Sequence, residues 1–215
     1  MTYFAILMKI TEKISIGLPV LKETRSEAVL KMISYHEIGH AMVVNTFDDL
    51  FTLQKVTIQS NKNGAGGYTL FLPKEPYGSF PTKRFLLANI MVSLGGRIAE
   101  QIYFKHHSSH VKWFEPLKDL EVTTGASNDL KQARQIALNY VQLFRSIGKY
   151  EYSGDARLSE YSKREIEKEV EEIIMFCYER VEQLLNENEK ELHKLSALLY
   201  KEKMLDKSYF KMKKI

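Results

Sequence analysis

The chain has one cysteine among 215 residues, and that scarcity excludes a disulfide-built scaffold. A lone Cys177 cannot close an intrachain bridge, which points to a reducing compartment. Cys177 lies in an apolar helical stripe and reads as a small buried residue, not as a nucleophile. No apolar run approaches the ~20 residues needed to cross a bilayer. The apolar N-terminal stretch Thr2–Ile10 is short, Lys9, Glu12 and Lys13 interrupt it, and no small-residue cleavage site follows a long apolar core. A secretory signal is therefore not expected. These absences predict an intracellular, soluble chain, with any membrane association running through a partner. There is also no block of one charge sign beyond the tail Lys211-Met212-Lys213-Lys214. The net charge of +4 is spread among acids, which predicts no nucleic-acid partner. Internal repeats and low-complexity segments are missing as well.

What is present is a well-supplied core and one conspicuous motif. Apolar residues make up 44% of the chain, with 11 Phe and 12 Tyr, enough for a substantial globular interior. The motif is His36-Glu37-Ile38-Gly39-His40, an H-E-x-x-H string. On a helix, residues four apart differ in direction by only about 40°, so both imidazoles can reach one metal ion from a single rigid element. Glu37 is offset from His36 by about 100° and can face a water held at the metal. Two ligands, a general base and room for a third ligand make the constellation of a zinc hydrolase. Ser26 is placed to cap this helix, with Glu27 in its first turn. Val29, Ile33, His36 and His40, continued by Val43, Val44 and Phe47, trace one face. The histidines thus fall on a buried stripe, where an imidazole needs a partner.

The rest of the chain reads as mostly helical with one small β element. Residues 3–15 form a short helix, and Gly17-Leu18-Pro19 breaks it. The motif helix covers about 26–46. Val56–Ile58 and Gly67–Leu72 are strand-like, and Asn61-Lys62-Asn63-Gly64 between them is turn chemistry, so the pair reads as a hairpin. A helix over about 82–104 carries Leu86, Leu87, Ile90, Met91, Leu94 and Ile98 on its inner face. Gly95-Gly96 in its middle costs helix propensity; such a pair admits a close neighbour, for which the motif helix is the candidate. Residues 105–120 read as a loop or insertion and 128–147 as another helix. A long C-terminal helix follows, with Ser162 and Glu165 as a capping box. Its stripe runs through Ile166, Val170, Ile173, Ile174, Cys177, Val181, Leu184 and Leu185. Asn186–Asn188 interrupts it before a last helix with Leu192, Leu195, Leu198 and Leu199.

A catalytic zinc site wants a third protein ligand and one open position. His106, His107 and His110 are available, but they fall in a polar segment with Ser108 and Ser109, where loop histidines are commonly exposed. Asp129 is the stronger candidate. It follows the Gly-containing turn Thr123-Thr124-Gly125-Ala126-Ser127-Asn128 and lies in a first helical turn. A carboxylate is favoured there by the free N–H groups even without a metal, so spacing alone does not decide between ligand and helix start.

Several strings, in this order, resemble the peptidase domain of the FtsH-type AAA+ zinc metalloproteases. They are Tyr35–Ala41, Lys55-Val56-Thr57-Ile58, Gly67-Tyr68-Thr69, Leu94–Glu100, Thr123–Leu130 and Tyr178–Leu185. The resemblance covers about residues 17–208. It implies that His36, His40 and Asp129 ligate Zn²⁺ and that Glu37 is the catalytic base. It also implies a mainly helical metallopeptidase domain with a small β element beside the active site, and assembly as a homo-oligomeric, hexameric ring.

On this reading residues 1–20 are a short helical segment resembling the end of an ATPase module, 21–210 the zinc metallopeptidase domain, and 211–215 a basic tail. No G-x-x-x-x-G-K-[ST] phosphate loop occurs, so ATP dependence would need a separate AAA+ ATPase partner. The transmembrane helices usual in that family are not present either. Residues 105–120 look inserted and 148–160 shortened relative to it. The expected function is a zinc-dependent metalloendopeptidase acting on unfolded or loosely folded proteins. The competing expectation is a catalytically weak or regulatory subunit of a mixed protease ring.

Overall fold

The computed structural model describes residues 23–61, 66–107, 123–145 and 160–210. Helix α1 (Glu27–Thr46) starts at the expected cap: Ser26 is extended (φ −66°, ψ 159°) and its side chain accepts the Val29 N–H at 3.4 Å. The expected stripe is displaced at its start, because Val29 is exposed and Leu30 is buried in its place. From Glu37 to Val44 every residue is buried. Helix α1 is therefore no surface helix with a single apolar face. Its second half is a central rod of the fold, covered on all sides, while its first turns reach the surface.

Helix α2 (Lys83–His107) crosses α1 at glycines. A Cβ on Gly95 would come within 2.7 Å of the Gly39 carbonyl oxygen, and a Cβ on Gly39 would meet the Ala99 Cβ at 2.6 Å. The two backbones touch, which is the close approach expected of Gly95-Gly96, and α1 is the neighbour admitted. Ile90, Leu94 and Ile98 are buried in this packing, while Leu86, Leu87 and Met91 lie at its rim. Helix α2 also runs three residues beyond its expected end. His106 and His107 are helical and not part of a loop, because Ile102 and Tyr103 keep the last turns anchored in the interior.

Helices α3 (Ser127–Arg145) and α4 (Glu160–Glu187) pack on the other side of α2. In α4 the expected stripe is buried at Ile166, Val170, Cys177, Val181 and Leu185. The chain is already helical at Glu160, so Ser162 lies inside the first turn and is not the cap the sequence suggested. Burial pushes the Cys177 thiol up to about 12, which suits a packing residue and not a nucleophile.

Helix α5 (Glu189–Glu202) follows the break at Asn188 and ends at Lys203, a lysine in left-handed backbone (φ 64°). That turn feeds a strand the sequence reading did not find, β3 (Met204–Asp206). It pairs antiparallel with β1 (Phe51–Thr57), which also pairs antiparallel with β2 (Tyr68–Pro73), giving the order β2-β1-β3. Strand β1 begins five residues before the expected Val56. A register shift between Leu53 and Lys55 changes the alternation, so that Phe51, Leu53 and Val56 all point inward. Three residues, as in β3, are too few for a period-two signal. Among the described residues no helix is long and apolar enough to cross a membrane. The expected N-terminal helix at 3–15, the turn residues 62–64, His110 and the basic tail lie outside the described residues.

Candidate metal centre

His36 and His40 stand one turn apart on α1 with ring centroids 4.7 Å apart. Their free nitrogens converge: His36 Nε2 and His40 Nε2 are 3.0 Å apart. Asp129, in the first turn of α3, brings Oδ2 to 3.2 Å from His36 Nε2 and 3.6 Å from His40 Nε2. The sequence left Asp129 open between ligand and helix start; the fold turns its carboxylate onto both imidazoles. A tetrahedral zinc ion with bonds of about 2.0–2.1 Å separates its ligand atoms by roughly 3.3 Å. The three donor atoms already stand near three corners of such a tetrahedron.

Both rings are locked from behind. His36 Nδ1 lies 2.8 Å from Glu100 Oε1, and His40 Nδ1 lies 2.6 Å from the Val92 carbonyl oxygen. Each Nδ1–H donates to its acceptor, which leaves both Nε2 lone pairs for an ion. Glu100 is almost fully buried and also accepts from the Thr123 hydroxyl at 3.3 Å, with Arg97 at 4.0 Å. The turn before α3 is thereby tied to the same carboxylate that orients His36. Gly96 makes room for the pair, since a Cβ there would strike His36 Cε1 and His40 Nε2 at 2.5 Å.

The electrostatics favour a cation. Burial pushes the His36 imidazolium down, yet the hydrogen bonds to Asp129 and Glu100 outweigh it and carry its pKa up to about 10. Burial pushes Asp129 up, and the hydrogen bonds from His36 and His40 overcome this and hold it well below the carboxylate range. Glu37, buried beside them, is raised by burial against the lowering pull of the two histidines. Its Oε2 lies 2.8 Å from the Thr69 hydroxyl of β2, which is also 2.9 Å from the Glu37 carbonyl oxygen. All four residues line an open cleft of about 510 Å³, bordered by Tyr68, Thr69 and Phe71 of β2 and by Gln132 of α3.

The other described histidines lie elsewhere. His106 pairs with Glu189 of α5, and His107 Nδ1 meets the Tyr103 carbonyl oxygen at 2.7 Å. Neither belongs to this centre. The sequence reading assigned no role to Glu100, Thr69 or Val92. Glu100 had a signal: it sits one turn after Gly96 on an apolar helix, between Ala99 and Ile102, where a lone carboxylate needs a partner. Thr69 and the Val92 carbonyl had none, because both act across tertiary contacts.

A helix offering two imidazoles and a buried glutamate, completed by a carboxylate from a distant helix start, is the arrangement of the H-E-x-x-H metallopeptidase class, and its donors suit zinc. The chain belongs to a particular family of that class: residues 23–212 match Peptidase family M41. It is 32% identical over 201 residues to the ATP-dependent zinc metalloprotease FtsH of Aster yellows witches'-broom phytoplasma, covering 91% of this chain and 27% of that protein. Against the protein of the same name in Bacillus subtilis it is 31% identical over 218 residues, 94% of this chain and 32% of the relative. The Trieres chinensis protein, also so named, is 34% identical over 193 residues, 82% of this chain and 27% of the relative. The chain thus spans between about a quarter and a third of the length of these relatives.

Proposed function

We propose that this chain is a zinc-dependent endopeptidase domain that hydrolyses peptide bonds in unfolded or loosely folded proteins. The observation that carries it is the convergence of His36 Nε2, His40 Nε2 and Asp129 Oδ2 beside a buried Glu37. These three residues hold the zinc. When bound, zinc polarises the scissile carbonyl and acidifies water. Glu37 takes the proton of the attacking water and delivers it to the leaving amine nitrogen, a role its raised pKa favours. Thr69 holds Oε2 of Glu37 and so fixes which oxygen is left to face the water.

Strand β2 borders the cleft and pairs with β1 on one side only among the described residues. An extended substrate adds to its other edge through main-chain hydrogen bonds with little side-chain selectivity. The relatives are named ATP-dependent, and on this reading an AAA+ ATPase unfolds substrate and delivers it to this domain, assembled as a hexameric ring. The domain runs over residues 21–210.

The direct test is Glu37→Gln. The variant keeps about one zinc per chain while chelator-sensitive cleavage of unfolded casein falls by about 10²–10⁴-fold. Undiminished cleavage by the variant overturns the assignment.

A further inference from the structure

A second convergence of histidines lies away from the cleft. His106, in the last turn of α2, places Nε2 at 2.6 Å from Glu189 Oε1, and His193 of α5 places its own Nε2 at 3.3 Å from the same oxygen. The three ligand atoms all lie within 4.8 Å of one another. We propose that His106, Glu189 and His193 form a second site for a borderline divalent metal ion, Zn²⁺ above all, which clasps the end of α2 to the start of α5.

Three features favour a metal over a chance meeting of surface groups. Glu189 and His193 are four residues apart on one helix, the spacing that sets two ligands on a common face. His193 has its other nitrogen engaged: Nδ1 lies 2.6 Å from the Tyr35 hydroxyl. That bond fixes the ring with Nε2 turned toward Glu189, as outer partners do for metal-binding imidazoles. The donor set is two imidazole nitrogens and one carboxylate oxygen, which suits zinc, nickel or copper and not magnesium or calcium.

The charges agree. Hydrogen bonding to His106 and then to His193 lowers the Glu189 carboxyl, so it is ionised at neutral pH. The side chains of His106, Glu189 and His193 are 45%, 31% and 36% exposed, so an ion enters without rearrangement and meets water at its remaining positions. Tyr35 brings a third helix into the clasp, since it also packs on Tyr103 with ring centroids 4.9 Å apart. An ion here would thus cross-link α2 to α5 directly and lean on α1 through Tyr35, the residue before His36.

The test is a titration of the metal-free full chain with Zn²⁺ against a chromophoric chelator. The expected result is two steps, a tight one and a weaker micromolar one. His106→Gln and Glu189→Gln should each weaken the second step by about 10–100-fold and leave the first step and the peptidase activity unchanged. His106 is half-exposed and its replacement leaves the core untouched; a circular-dichroism spectrum like the parent's confirms that the variant is folded. A single step in the parent chain overturns the proposal. So does a second step that both variants retain, which would mark it as adventitious surface binding.

Discussion

Two clusters in this fold have the same composition, two histidines and one carboxylate, and they differ in how they are held. At the cleft, His36 and His40 are backed by Glu100 and the Val92 carbonyl, and Asp129 completes a triangle with edges of 3.0, 3.2 and 3.6 Å. At the end of α2, His106 and His193 reach one oxygen of Glu189, and the Tyr35 hydroxyl stands 2.6 Å behind His193 Nδ1. The first is walled by two helices whose backbones touch; the second is open to water. Preorganisation, and not the identity of the side chains, separates the two clusters. Where burial and outer partners fix the rings, the ordering cost falls on the fold and not on the ion.

The comparison can be broken hardest at Asp129. Asp129→Asn leaves a neutral amide in the tight centre and is expected to abolish both zinc retention on dialysis and casein cleavage. Full zinc occupancy in that variant would return Asp129 to the role of a helix-start carboxylate. Gly96→Ala comes next, because the new Cβ would sit 2.5 Å from the imidazoles. Displacing both rings and the α1–α2 contact should cost about 1–3 kcal/mol in a denaturation experiment, together with most of the zinc affinity. Glu100→Gln keeps the shape but removes the charge behind His36, and zinc affinity should drop about 10–100-fold.

The pH dependence of the metal-free protein sharpens the contrast further. His36 is raised to about 10 in the fold from an ordinary 6.5, so its stabilising contribution is complete below pH 6.5 and is lost as pH rises toward 10. Glu37, raised by burial, works in the same sense; Asp129 works in the opposite sense and only in acid, where its held-down carboxyl must be protonated. Thermal melts between pH 6 and 10 should therefore show falling stability without zinc. With zinc bound the slope should flatten, because the ion replaces the proton. A slope unchanged by zinc would contradict this. The smallest effect belongs to the open cluster: His106→Gln in metal-free protein should shift unfolding by under about 1 kcal/mol, as for other exposed ion pairs.

Much of this was legible in residue order. The helix cap at Ser26, the α4 stripe, the Asn188 break and the H-E-x-x-H pair all rest on local periods and caps, which a linear string carries directly. The glycines of α2 announced a close neighbour for the same reason. The misses share a cause. A single stripe through Val29 does not describe α1, which exposes Val29 and is buried all round in its second half. Strand β3 was missed because three residues carry no period, and because its partner lies some 150 positions upstream. His106 and His107 fall in a polar run that reads as a loop, and only the burial of Tyr103 in the last turns of α2 keeps them helical.

The sequence alone determined the mostly helical make-up, the two histidines and glutamate on one helix, and the string that resembles a known family. All of these depend on residues a few positions apart. Only the tertiary structure decided that Asp129 faces the imidazoles and not merely its own helix start. It also decided that Glu100 and Val92 orient the rings, that the Thr69 hydroxyl meets Glu37 Oε2, and that His106 and His193 meet at Glu189. Those facts depend on groups brought together from distant positions by packing, where direction and distance are set by the whole core at once.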